Sequence, residues 1–421
     1  MKTDKLTLLK YTVPLILSGL AEQLLLLTDV FLISFKGDQY LATIGLIDAF
    51  LLSSLSYGFA LNDSFQNFYS RNSHKATFIK NVFIKSFTIF IKHAVLISLF
   101  FSGITYCINF IFTNNIFQLF IEQIPIIIPL IILSYISLSM NSYMLGIGRT
   151  RVVGIISIIC IFINALLGYI LLFEVELKVS PLAIILYTSI FAEIIGIILM
   201  LLTIKKTSTV INQKPVRYGL LTIIRKASYY PALSDLSFHI GSFILFVFCS
   251  TYLDVSEIAL LTMILSYWGL LIVPAEAFSE TALNYFTRIY SAKKLSLFQQ
   301  LKKNIIETSL AVSTFFLFVL LILDYLLYEI SFKKIVIISI VSVIILIGTF
   351  NEILSISLIA RLKNNLFATS KIIYGSISII SILVLVLLWK NEATSIFISL
   401  LIAQLTIYFY LNKKSTELWI K

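Results

Sequence analysis

Charge is what this chain has least of. Asp, Glu, Lys and Arg make up 13% of its 421 residues, against about 25% in ordinary soluble domains. Hydrophobic residues make up 59%, and runs of Ile, Leu and Phe fill the whole length. A soluble globular protein, a disordered protein and a single-anchor protein are therefore excluded. Cysteine is scarce as well. Cys107, Cys160 and Cys249 stand far apart inside apolar runs, which argues against disulfides and a zinc site. The three histidines, His74, His93 and His239, show no ligand or catalytic spacing. No small-residue cleavage site follows the first apolar run, which carries Glu22 and Asp29. It reads as a retained span and not as a signal peptide. Alternating ten-residue strands, the mark of an outer-membrane barrel, are missing too.

What remains is an all-α polytopic membrane protein of about 12 transmembrane helices. The spans are expected near 11–34, 43–62, 86–111, 125–144, 152–173, 181–203, 231–252, 258–280, 305–323, 335–358, 369–389 and 393–411. The connectors between them are too short for a sizeable soluble domain. The net charge of +11 fits basic cytoplasmic loops and not nucleic-acid binding. The basic residues gather in alternate connectors, from Lys2, Lys5 and Lys10 through the linker that carries Lys205, Lys206, Lys214 and Arg217 to Lys413 and Lys414. The opposite side holds only Lys36, Lys178, Lys333, Lys334 and Lys390, and Lys92 falls inside a span. This asymmetry places both termini in the cytoplasm.

Sliding the chain along itself by one constant offset brings Pro14 onto Pro231, Ala42 onto Ala259, Asn67 onto Asn284 and Arg71 onto Arg288. Span boundaries coincide at the same offset. Two six-helix repeats follow: an N-terminal lobe at 1–204, a basic cytoplasmic linker at 205–227 and a C-terminal lobe at 228–421. Parallel repeats of this kind place a substrate between the lobes and allow alternating access by rocking.

Ionisable side chains inside spans are costly, at about 2.5–3.5 kcal/mol on insertion scales, and usually face protein or water. Ser18, Glu22 and Asp29 share one helix face. This is either a protonatable stripe or a set of locally paired groups. Lys92 needs a partner, for which Glu22 and Asp48 are the candidates. Glu193 shares a face with Ser189 and Gly196. Asp235 and His239, at i and i+4, either exchange a proton and recognise a cation or form a satisfied pair. Glu276 and Glu280 repel when both are ionised, which suits proton exchange or a cationic ligand. Glu352 lies in the tenth span beside Asn351. Carboxylates thus outnumber cations within the membrane, which favours cationic substrates or proton and sodium coupling. Aromatics make up 14% of the chain. Tyr57, Tyr267 and Trp268 are able to stack on a flat cation, although packing is their commoner use.

Two segments carry a family resemblance. The stretch from Pro14 through TDVFLISFKGDQYLATIGL resembles the first span and following loop of multidrug and toxic compound extrusion (MATE) transporters. There a proline opens the span, an aspartate sits late in it, and an Ala-rich "LAAIGL"-like start of the second span follows. The stretch GIGRTRVVGIISIICIFINALLGYILLFE is similar to the family's loop after span 4 and its span 5 pattern, through Gly146, Gly148, Thr150, Arg151, Asn164 and Tyr169. SPLAIILYTSIFAEIIG and the Pro231 start of the seventh span are looser matches. The resemblance implies an inner-membrane antiporter exchanging protons or sodium for organic cations, with no other cofactor and no bound metal. Asp29 would be the coupling carboxylate and Asn164 its neighbour. Gly168 stands where the family often has a second aspartate, so Glu22 or Glu193 would substitute. The acidic site of sodium-coupled members is matched loosely by Asp235 and Glu352, which favours protons over sodium. A monomer is expected, since both lobes lie in one chain.

Two other readings stay open. One is a flippase for lipid-linked oligosaccharides of the same superfamily, which would want a basic cavity. The other is a membrane-embedded transferase, which would want a catalytic motif on a substantial loop. The acidic interior and the short outer loops argue against them, and the chain is not expected to be an enzyme.

Overall fold

The computed structural model describes residues 5–72, 75–110, 114–175, 177–206, 218–291, 295–327, 332–359, 364–388 and 392–420, apart from some side chains within the helices. The order is α1 (Lys5–Ser34), α2 (Asp38–Arg71), α3 (Ala76–Asn109), α4 (Asn115–Gly146), α5 (Thr150–Tyr169), a π-helical turn (Ile170–Glu174) and α6 (Pro181–Lys206). It continues with α7 (Tyr218–Ala227), α8 (Tyr229–Tyr252), α9 (Val255–Ser291), α10 (Leu295–Leu327), α11 (Phe332–Ile359), α12 (Asn364–Leu388) and α13 (Ala393–Ile420). No strand occurs among the described residues. In an apolar layer every backbone N–H and C=O must bond within its own segment, and a helix does this without an edge.

The expected spans coincide with α1 to α6 and α8 to α13, most of which run past the apolar stretch at one end or both. Eight helices among the described residues are long and apolar enough to cross a membrane, including Asp38–Ser70, Pro181–Lys205 and Ile335–Leu358. The chain is a multi-pass membrane protein. Exposed Phe100, Phe162 and Phe409, which would be a liability in water, suit helix faces turned to lipid.

Two compact units form. One comprises Leu25–Thr251; the other combines Met1–Leu24 with Tyr252–Lys421. The cuts by compactness thus fall inside α1 and at the end of α8, while the repeat boundary read from the sequence lies at 204–228. Compactness follows contacts, and a repeat follows chain duplication, so the two need not agree.

In the first unit, Phe50 packs edge-on against Phe101, Phe120 and Phe243. The π-helical turn is tied to the turn between α1 and α2. Lys36 Nζ donates to the Leu172 carbonyl at 2.7 Å and lies 4.2 Å over the Phe173 ring. A π turn leaves carbonyls without their usual partners, and the lysine satisfies one. The loop between α4 and α5 turns at Gly148, whose φ of 82° lies in the left-handed region that glycine enters without penalty.

The second unit is built on Leu8, Ile16, Val273, Phe278, Phe286, Phe298 and Ile353, with Phe286 stacked on Phe298. Thr12 donates to the Leu8 carbonyl and pairs with Thr281. The N–H of Ala393 at the start of α13 donates to the Glu257 carboxylate at 2.9 Å, where the helix end favours a negative charge.

The segment at 205–227 is more than a linker. It contains α7, with Leu221 and Ile224 buried against α2.

Candidate functional site

Asp29 lies in the last two turns of α1 and is buried, with 8% of its surface exposed. Asn164 of α5 donates from Nδ2 to Asp29 Oδ1 at 2.6 Å. The Ser189 hydroxyl of α6 donates to Asp29 Oδ2 at 3.0 Å and lies 3.4 Å from Asn164 Oδ1. Each carboxylate oxygen therefore has one donor, and three helices meet at one group. Buried charge is costly unless it is hydrogen-bonded and balanced. Here the hydrogen bonds are in place, and among the described residues no salt bridge reaches Asp29: Lys5–Glu307, Lys303–Glu307 and Lys371–Glu352 lie elsewhere. Asp48, on α2, lies within electrostatic reach of Asp29, and two carboxylates in reach of one another favour uptake of a proton or a cation.

Asp29, Asn164 and Glu193 are thus in one unit. Glu193 stands one turn beyond Ser189 on α6 and faces the Ser137 hydroxyl of α4. Gly168, on α5 one turn after Asn164, points the place of its missing side chain at Leu32, Ile185 and Thr188. The sequence suggests Asp48 as a partner for Lys92 and places Ser189 on a face shared with Glu193; the structure sets both toward Asp29 instead. Lys92 itself is exposed on α3, so it forms no buried pair with Glu22 or Asp48. The side chains of Glu22 and Asp235 lie outside the described residues. His239 is half-buried and belongs to the same unit as Asp29, not with the helices of the other unit.

The other unit holds Glu276 and Glu352. Glu276 is exposed, as is Glu280. Glu352 of α11 accepts from Lys371 Nζ of α12 at 3.2 Å and from the Ser279 hydroxyl of α9 at 3.5 Å. Lys371 lies two turns inside α12, which starts at Asn364, before the span expected at 369–389. Beside this pair, Asn351 Nδ2 donates to the Gln404 carbonyl at 2.9 Å and to its side-chain oxygen at 2.7 Å. Among the described residues no group of three or more His, Cys, Asp or Glu is placed to hold a metal ion.

The Glu352–Lys371 pair yields a stability prediction. Lys371→Met leaves a half-buried carboxylate without its cation and should cost about 2 kcal/mol, while the double change Glu352→Gln with Lys371→Met should recover most of it. Thermal unfolding of the three variants in detergent tests this. A double variant as unstable as the single one would show that packing, not the charge pair, sets the cost.

A multi-pass helical bundle with a donor-lined carboxylate buried in one unit defines a membrane protein able to hold a proton or cation away from water. No protein-family model and no curated protein matches the chain, but solved structures do. A multidrug resistance MATE family transporter of the MOP superfamily in its inward-facing conformation aligns with a TM-score of 0.79 at 15% identity, over 95% of this chain and 96% of that one. The outward-facing conformation of such a transporter aligns with a TM-score of 0.73 at 16% identity, over 99% and 97%. A MOP superfamily transporter from Pyrococcus furiosus, described as having a binding pocket of reversed polarity that suggests a different function, aligns with a TM-score of 0.72 at 17% identity, over 98% and 96%. The chain has the fold of the MATE transporters.

Proposed function

We propose that the chain is a MATE-like secondary active exporter, which exchanges protons, in preference to sodium, for small organic cations or toxic compounds by alternating access. The observation that carries this is the Asp29 carboxylate, buried between Asn164 and Ser189 within electrostatic reach of Asp48, with no salt bridge to a basic side chain among the described residues. When Asp29 takes up a proton, the charge in the site falls and an organic cation loses its attraction. When the proton leaves, the site regains it. Coupling then comes from the different affinities of the two states. Glu193 extends the acidic lining on the same helix as Ser189. Glu352 is tied to Lys371, so in the resting arrangement its charge is already balanced. The protein works as a monomer in the inner membrane, with both termini in the cytoplasm, and is not an enzyme.

The test uses purified protein in liposomes. A pH gradient and then a sodium gradient are imposed, and the movement of a panel of fluorescent organic cations is followed. Movement driven by the pH gradient alone is expected. Movement driven only by sodium would replace the coupling ion. No movement under either gradient, in folded protein, would turn the reading toward the flippase for lipid-linked oligosaccharides.

A further inference from the structure

The ten-residue helix α7 has no part in the transport reading, yet its placement is specific. Its last turn carries Arg225 and Lys226. Leu221 and Ile224, three apart, are buried on the face that meets α2. Ile223 and Lys226, also three apart, lie on the open face, with Ile223 67% exposed. Arg225 Nε is buried without a hydrogen-bond partner among the described residues. A single residue separates α7 from α8: Ser228, whose hydroxyl and N–H both donate to the Arg225 carbonyl.

Helix lengths fix the depth of this corner. α8 has 24 residues, about 36 Å at 1.5 Å per residue, little more than a hydrocarbon layer of about 30 Å. Its first turn therefore sits at one edge of that layer. On α2 beside it, Tyr57 has its ring 6.3 Å from that of Tyr229. Tyrosine is at home at such an edge. Helix α7 thus lies at the boundary between apolar chains and headgroups, with Ile223 and Lys226 on its open face and Arg225 half-buried in the same turn.

We propose that α7 is an interfacial anchor in which Arg225 and Lys226 bind the phosphate of an anionic glycerophospholipid of the bilayer. Charge complementarity points to that occupant. From Lys205 to Ala227 the sequence has Lys205, Lys206, Lys214, Arg217, Arg225 and Lys226 and no Asp or Glu. A run of basic residues beside a transmembrane helix draws anionic headgroups, each cation contributing about fivefold in affinity. The exposed Lys226 ammonium meets a phosphate oxygen as a point charge, and the half-buried Arg225 adds its positive charge from the same turn. Ile223 enters the acyl boundary beside the headgroup, as on other basic amphipathic helices that lie in the interface.

The test is native mass spectrometry of the full chain released from mixed detergent micelles of phosphatidylglycerol and phosphatidylcholine. The intact protein should retain phosphatidylglycerol at least tenfold over phosphatidylcholine. Arg225→Gln with Lys226→Gln should remove that preference, and Lys226→Gln alone, a change on the open face that spares the fold, should reduce it about fivefold. Lys92→Gln, which removes an exposed lysine from α3, should leave it unchanged. Equal retention of the two lipids by the intact protein would overturn the proposal. So would an unchanged preference in Lys226→Gln, an equal loss in Lys92→Gln, or displacement of the lipid by millimolar glycerol phosphate.

Discussion

Asp29→Asn should abolish gradient-driven export, by about a hundredfold or more, in protein that still folds. The exchange keeps the size of the side chain. Its amide oxygen still accepts from Asn164 Nδ2, and its amide nitrogen meets the Ser189 oxygen, so the junction of α1, α5 and α6 keeps its packing. What disappears is the charge and the place for a proton. Hydrogen bonds to a charged group contribute about 1.5–3 kcal/mol, and a hundredfold change corresponds to about 2.7 kcal/mol, so loss of the charge alone is large enough. Asn164→Ala removes one of the two donors and should cost about tenfold. The two changes act on one group, so the double variant should be no worse than Asp29→Asn. The measurement is the initial rate of cation movement in liposomes under a fixed pH gradient, with reconstituted protein and unfolding temperature matched. Asp29→Asn working at the wild-type rate would remove Asp29 from the coupling step. Fully multiplied losses in the double variant would mean that Asn164 acts elsewhere.

How much of this was visible before the structure depended on what kind of force each residue reports. Apolar runs report solvent, so they located all twelve long helices. They misjudged the ends, because a helix continues wherever its backbone bonds continue, whatever its side chains. Thus α2 runs from Asp38 to Arg71 around an apolar stretch at 43–62. The early start of α12 sets Lys371 two turns into the helix, where it pairs with Glu352. Helix α7 was hidden for the same reason, since its basic residues marked the segment as a connector.

At the candidate site, Asp29 and Asn164 stood out by their resemblance to family motifs, and Ser189 was on view as a neighbour of Glu193. The resemblance implied Asn164 as the neighbour of Asp29, and the two do meet; that Ser189 joins them was not legible. It depends on how three helices are rotated about their own axes, and nearly uniform apolar faces leave that rotation poorly marked in the sequence. Lys92 shows the same limit. A lysine within an apolar run suggests a buried partner, but α3 turns it to the exposed side, where a long chain reaches toward water at the edge of the layer. The motif glycines were legible as letters of a loop, Gly146 and Gly148, while their separate tasks were not. Gly148 permits a left-handed turn, and Gly146 permits contact.

That contact sets a large stability effect. A methyl group at Gly146 would lie 2.5 Å from Tyr69 Cβ and 3.0 Å from the Gln66 carbonyl oxygen. Neither atom is the free end of a flexible side chain, so relief requires α2 and α4 to move apart. Tyr69 has little room to yield. It is fully buried, hydrogen-bonded to Ser86 at 2.8 Å and packed edge-on against Tyr143. Alanine favours a helix over glycine by about 1 kcal/mol, and overpacking of a filled core costs about 1–3 kcal/mol. With a contact this short the clash wins, and Gly146→Ala should lose about 2 kcal/mol net, Gly146→Leu most of the folded yield. Gly154→Ala is the matched comparison, because nothing lies within 4 Å of the added methyl. Only the propensity gain operates there, and stability should hold or rise slightly. Unfolding temperature in detergent and the yield of monodisperse protein read both. Should Gly146→Ala be as stable as Gly154→Ala, the close approach of α2 and α4 at this position would be refuted.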